Sequence, residues 1–93
     1  RMERLSDEEI DERLSAGPWR REGDAIVLDV ECEDFAAAIA FVNAVAVLAE
    51  QANHHPDLLV HGYKRVRLTL TTHAAGGLTA RDFGLADAVD ALG

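Results

Sequence analysis

Two periods of apolar spacing alternate along this chain, and each switch between them marks an element boundary. Ser6 opens the first element, with Glu9 three residues on and Leu5 placed to pack against Ile10. That combination caps a helix start, so a helix is predicted over roughly 6–16. Gly17-Pro18 stops it, and Trp19 to Glu22 and Ala25 to Cys32 then flank Gly23-Asp24 as the arms of a hairpin. In the second arm Ile26, Leu28, Val30 and Cys32 alternate with Val27, Asp29 and Glu31, making one face mostly apolar and the other partly charged.

From Asp34, a good N-cap, the pattern changes. Asn43 is the only polar residue between Phe35 and Ala49, so the segment is apolar nearly all round, yet shorter than the ~20 residues that cross a membrane. A doubly buried helix is predicted, covered on one side by its own sheet and on the other by another helix or another subunit. Leu58-Leu59-Val60 and Tyr63 to His73 read as two more strands about His61-Gly62. In the longer one Val66, Leu68 and Leu70 form the apolar face, and Arg65, Arg67, Thr69 and Thr71 the wet one. Gly76-Gly77 breaks that strand, and Thr79 to Asp82 opens a last helix with Leu85, Ala88, Val89 and Leu92 as its buried stripe. The fold class is therefore α+β: helix-strand-strand-helix-strand-strand-helix, a four-stranded antiparallel sheet with three helices on one face.

Length and charge narrow the function classes. Ninety-three residues support a single domain, 1–93, with a modest buried fraction, so a homodimer or homotetramer is an expected source of stability. Nine basic against seventeen acidic residues give a net charge of -8, which repels phosphate backbones and anionic lipid. Neither nucleic acid nor membrane is an expected partner. Cys32 stands alone and continues an apolar strand face, so it reads as packed, and no internal disulfide is possible. A cytoplasmic setting fits, and Arg1 ahead of Met2 reads as an appended residue.

The candidate chemistry lies in Glu50-Gln51-Ala52-Asn53-His54-His55-Pro56, answered by His73 and Asp82. Imidazole changes charge closest to neutral pH, so three histidines in two short segments, each with a carboxylate nearby, can move protons there. If the helix holding Glu50 continues to residue 54, Glu50 and His54 share a face, and Pro56 biases His55 out of helical geometry. His61, in the presumed turn, is left outside the site. Asp82 stands three residues after Thr79 and has the placing of a capping-box acid, so it is expected to cap the last helix and orient His73 together.

The spacing of Glu50, His54-His55-Pro56, Tyr63, His73 and Asp82 resembles the signature of the pterin-4a-carbinolamine dehydratases. Leu5-Ser6, a tryptophan near the first strand, Asp34-Phe35 with Ala38 and Phe41, and Thr71-Thr72-His73 followed by Gly76-Gly77-Leu78-Thr79 resemble the same family, so the likeness spans essentially the whole chain. It implies loss of water from a 4a-hydroxytetrahydropterin to give a quinonoid dihydropterin, in recycling after aromatic amino acid hydroxylation. It implies no metal and no cofactor. By the same resemblance His54 and His73 are the candidate proton-transfer pair and His55 an auxiliary or positioning group, with Glu50, Pro56 and Asp82 on the substrate side. The pterin is the implied small-molecule partner, and an aromatic amino acid hydroxylase the implied pathway partner. Where many members carry an aromatic residue two positions after the proline, this chain has Leu58, which implies altered pterin affinity rather than lost chemistry.

Two other readings accompany this one. His54, His55, His73 and Glu50 could supply a zinc site, although neighbouring residues in an extended loop tend to point apart. The fold could also serve as a non-catalytic dimerisation or recruitment module, since a second role as a transcriptional cofactor belongs to the family in animals.

Overall fold

The computed structural model describes residues 3–15 and 17–92. Arg1 and Ala16, the predicted end of the first helix, lie outside them. The Ser6 hydroxyl accepts from the Glu9 backbone N–H and the Glu9 carboxylate from that of Ser6, so the predicted capping box closes and starts α1, Asp7–Leu14. Those contacts also hold the Glu9 carboxyl below its ordinary pKa, the Ser6 backbone N–H first and its hydroxyl second. Ile10 is buried from this helix, and Leu5 packs against the same core.

Strands β1, Arg20–Glu22, and β2, Ala25–Glu31, form the predicted hairpin, and β3, Asp57–His61, pairs with β4, Arg65–Leu70. The sheet is antiparallel throughout, in the order β1-β2-β4-β3. Its register sets Ile26 opposite Leu70, Leu28 opposite Leu68 and Val30 opposite Val66. These pairs make one apolar face, as the period-2 pattern requires, and the helices cover it. Leu68 has no exposed surface, so truncating it to alanine would cost about 2–5 kcal/mol. On the opposite face Asp29 stands across from Arg67 and Glu31 across from Arg65, each pair bridged by an ion pair.

Helix α2, Phe35–Ala52, starts at Asp34, whose carboxylate accepts from the Ala37 N–H. Its 18 residues and mean hydropathy of 1.7 would satisfy a membrane crossing by length and composition, as the core helix of a folded domain also can. Here it lays Ala38, Val45 and Ala49 into the core. The opposite stripe, Phe35, Ile39, Asn43, Ala46 and Val47, is exposed. The predicted double burial is thus not met within one chain, because all three helices share one side of the sheet and α3 packs alongside α2 rather than over it.

Strand β4 ends at Leu70, short of the predicted His73. Thr72 instead exchanges two backbone hydrogen bonds with Gly77, pinching residues 72–77 into a loop whose first residues form a short 3₁₀ turn, His73–Ala75. Gly76 sits at a φ of +71°, a left-handed conformation that favours glycine, and a Cβ on Gly77 would come within 2.6 Å of the Arg4 side chain. Helix α3, Ala80–Asp90, buries Phe83, Leu85, Ala86 and Val89. Leu92, predicted in that stripe, lies past the helix end and is exposed, and Ala88 is half-buried; Phe83 and Ala86 take their places. Trp19 is buried beside α3 with its indole N–H donating to Asp90 at 3.0 Å.

Candidate active site

The end of α2 decides where the histidines go. Asn53 adopts a left-handed conformation (φ 49°), its N–H bonds to the Glu50 carbonyl, and the His54 N–H bonds to that of Ala49. This is the Schellman arrangement, which turns the chain sharply out of the helix. The carbonyls of Ala52 and Asn53 accept from the Arg81 guanidinium, at 3.3 Å and 2.5 Å. Arg81 therefore ties the last turn of α2 to the first turn of α3. His54, one residue past the cap, is delivered to Asp82, one residue past Arg81.

Because the helix stops at Ala52, the conditional pairing of Glu50 with His54 does not form. His54 Nε2 lies 2.5 Å from Asp82 Oδ1, and both side chains are buried. His55 takes up Glu50 instead, with Nε2 to Oε2 at 2.5 Å, in an exposed pair. Asp82 is the third residue of α3, and its Oδ2 accepts from the Thr79 N–H at 2.9 Å, completing a second capping box that the sequence suggested despite its Asp. The orienting role expected of Asp82 falls on His54 rather than on His73.

His54, His55 and His73 line one cleft of about 250 Å³, together with Asn53, Thr71, Thr72, Ala74 and Arg81. Residues distant in sequence thus share a wall, His73 reaching it from the 3₁₀ turn after β4 and the histidine pair from the loop after α2. Of the remaining candidates, Glu50 reaches the site only through His55, and Asp82 has no exposed surface with which to meet a ligand. Pro56 is half-buried at the start of β3 and does not line the cleft. Leu58 points to the apolar side of the sheet, packed against the core, so it is not a cleft wall either. A roomier groove of about 530 Å³ on the helix-covered side of the sheet, lined by Pro18, Leu28, Phe41 and Val89 among others, holds no histidine.

Arg81 and Thr72 are site residues that the spacing argument passed over. Arg81 carried a faint signal, a cation in the first turn of a helix where the macrodipole disfavours one. Thr72 showed only as a neighbour of His73. The zinc arrangement is not formed: His54 and His55 turn their Nε2 atoms to two different carboxylates, and among the described residues no group of three or more His, Cys, Asp or Glu side chains is placed to hold a metal ion.

The sequence and the helix-on-sheet frame have close counterparts. The profile of the family described as pterin 4 alpha carbinolamine dehydratase matches residues 3–92. A protein of Chloroflexus aurantiacus, provisionally named a pterin-4-alpha-carbinolamine dehydratase, is 54% identical over 92 residues, 98% of each chain. One from Acidobacterium capsulatum with the same provisional name is 53% identical over 92 residues, 98% of this chain and 99% of that one. Among solved structures, a transcriptional coactivator/pterin dehydratase from Brucella melitensis matches with a TM-score of 0.88 at 34% identity, covering 95% of this chain and 96% of that chain. A pterin dehydratase-like protein identified as a RuBisCO assembly factor in the alpha-carboxysome matches at 0.67 and 28% identity, covering 83% and 90%. With the family profile matched from end to end and relatives more than half identical, the chain belongs to the pterin 4 alpha carbinolamine dehydratase family.

Proposed function

We propose that this protein removes water from a 4a-hydroxytetrahydropterin, giving the quinonoid dihydropterin, by histidine general acid-base catalysis. The observation that carries this reading is the convergence of His54, His55 and His73 on one cleft, with His54 backed by a buried carboxylate. In the reaction the bond from C4a to the hydroxyl oxygen breaks, an acid protonates the departing oxygen, and a base takes a proton from the ring system. The electron pair left behind forms the new double bond, so no oxidant or reductant is consumed. Imidazole is the side chain that changes charge closest to neutral pH, so a histidine can serve as either acid or base there. His54 and His73 are the proposed pair, His55 with Glu50 the auxiliary group that holds the substrate, and Pro56 the residue that shapes their loop. Asp82 serves behind His54 rather than against the substrate. A cytoplasmic setting and supply of the carbinolamine by an aromatic amino acid hydroxylase belong to the same proposal.

The test is stopped-flow observation of carbinolamine decay with and without the protein. Acceleration that falls by about 10²-fold or more in His54→Ala and His73→Ala, with folding intact by circular dichroism, supports the assignment. Decay at the uncatalysed rate in the presence of the intact protein sinks it.

A homodimer or homotetramer is proposed as well, supported by the exposed apolar stripe of α2, where Phe35 and Val47 each keep more than half of their surface. Val47→Glu is expected to shift sedimentation toward the monomer. A wild-type protein that sediments as a monomer at every concentration tried removes this part. A non-catalytic role of the same fold is the second reading, favoured by the roles named for two structural relatives, coactivator and assembly factor. Unchanged dehydration in both histidine variants would favour it.

A further inference from the structure

His54 is held from behind by hydrogen bonds whose direction can be assigned atom by atom. Asp82 Oδ2 accepts from the Thr79 backbone N–H at 2.9 Å and from the Thr72 hydroxyl at 2.8 Å. The Thr72 Oγ1 atom also lies 2.9 Å from Thr79 Oγ1, which in turn accepts from the Arg81 backbone N–H at 3.3 Å. A hydroxyl carries one hydrogen. With that of Thr72 given to Asp82, the bond between the two threonines must use the hydrogen of Thr79. The chain then runs from the Arg81 N–H to Thr79, from Thr79 to Thr72 and from Thr72 to Asp82 with no donor facing a donor. Both hydrogens reaching Asp82 fall on Oδ2, which leaves Oδ1 as the acceptor facing His54 Nε2.

We infer that this chain holds His54 as its Nε2–H tautomer, that Thr72 is the positioning residue which fixes the Asp82 carboxylate for it, and that Nδ1 is the nitrogen His54 offers for proton transfer. Nδ1 has no hydrogen-bond partner among the described residues, and no buried side-chain nitrogen or oxygen among them lacks one, so Nδ1 is the ring nitrogen left open at the cleft. Thr72, Thr79 and Asp82 are themselves buried, so water does not compete for these bonds. A carboxylate free to rotate would present either oxygen to the ring. Pinned by Thr72 and the Thr79 N–H, it presents one.

The tautomer stands without the dehydratase reading; only the use of Nδ1 in catalysis rests on it. Two measurements on the full chain keep them apart. Long-range ¹H–¹⁵N correlation of the histidine rings reads the tautomer directly, and the expected wild-type pattern for His54 is Nε2–H. In Asp82→Asn the amide oxygen must stay on Thr72 and the Thr79 N–H, so its NH₂ turns to His54 and forces Nε2 to accept; the pattern inverts to Nδ1–H. Thr72→Val is expected to give a mixture of the two, and Thr72→Ser to restore the wild-type pattern.

In the kinetic arm Asp82→Asn lowers kcat on the order of 10²- to 10⁴-fold, as a wrong tautomer does elsewhere. Thr72→Val lowers kcat by about 10-fold, with KM little changed and the pH–rate profile displaced, and Thr72→Ser recovers most of the loss. A merely structural Thr72 would lower the melting temperature and leave tautomer and pH profile alone. An Nδ1–H pattern in the wild type, or one unmoved by both Asp82→Asn and Thr72→Val, overturns the inference. Should Thr72→Val not fold, the Asp82→Asn spectrum decides alone. If the wild type fails to dehydrate the carbinolamine while the ring pattern behaves as stated, the catalytic reading falls and the tautomer assignment stands.

Discussion

Among the described residues two histidine–carboxylate pairs have the same contact distance and opposite surroundings. His54 and Asp82 meet with side-chain exposures of 9% and 0%, His55 and Glu50 with exposures of 60% and 76%. In the buried pair each group has given up water and depends on its partner, so removal of one leaves the other unsatisfied. In the exposed pair water replaces whatever is removed, and salt screens what attraction there is. Distance alone is therefore a poor guide to what a pair does. Burial makes the first a fixed element of the site and leaves the second adjustable, which suits the proposed division between proton transfer at His54 and substrate handling at His55.

The sharpest way to break this contrast is in activity. His54→Ala is expected to lose about 10²-fold or more in the rate of carbinolamine decay, and His55→Ala about 10-fold, both followed by stopped flow. Equal losses would give the exposed pair the same weight in catalysis as the buried one. In stability, Asp82→Ala should cost about 3 kcal/mol in urea unfolding, because Thr72, the Thr79 N–H and His54 all lose an acceptor in a dry setting. Glu50→Gln should change the same measurement by less than about 1 kcal/mol, and raising the salt concentration should shrink even that.

A third carboxylate refines the comparison, since exposure does not always mean loose coupling. Asp29 is exposed, yet Arg67 and Arg20 both donate to it, Arg67 being the larger influence, and together they hold its carboxyl at about 2 instead of 3.8. A depressed folded-state pKa means that its contribution to stability is fully present above 3.8 and is lost as the pH falls from there through about 2. Carbon-detected NMR titration should find the Asp29 midpoint near 2, and Asp29→Asn should remove only that acid-range slope from the unfolding curve. A midpoint near 3.8 would show that the two guanidinium groups do not hold the Asp29 carboxyl as described.

Much of the frame was legible before any coordinates. Ser6 with Glu9 and Thr79 with Asp82 are local devices, complete within four residues, and both closed as read. The alternation in Ala25–Glu31 and Arg65–Leu70 determined which face of the sheet is apolar, because a period of two leaves a strand with no other way to bury Leu28 or Leu68. The spaced histidines marked the cleft. End points were less legible: β4 stops at Leu70 rather than His73, and α2 stops at Ala52, so the conditional pairing of Glu50 with His54 has no helix to carry it.

Sequence by itself thus determined the elements, the buried face of the sheet and the residue types that gather at the cleft, all properties written in spacing of a few residues. Which carboxylate serves which histidine was decided only in three dimensions. Asn53 turning left-handed sends Glu50 to His55, and Arg81 bridging the end of α2 to the start of α3 brings His54 onto Asp82, 28 residues away along the chain. A pairing of that kind depends on how two helix ends meet, and no local pattern carries the position of one helix end relative to another.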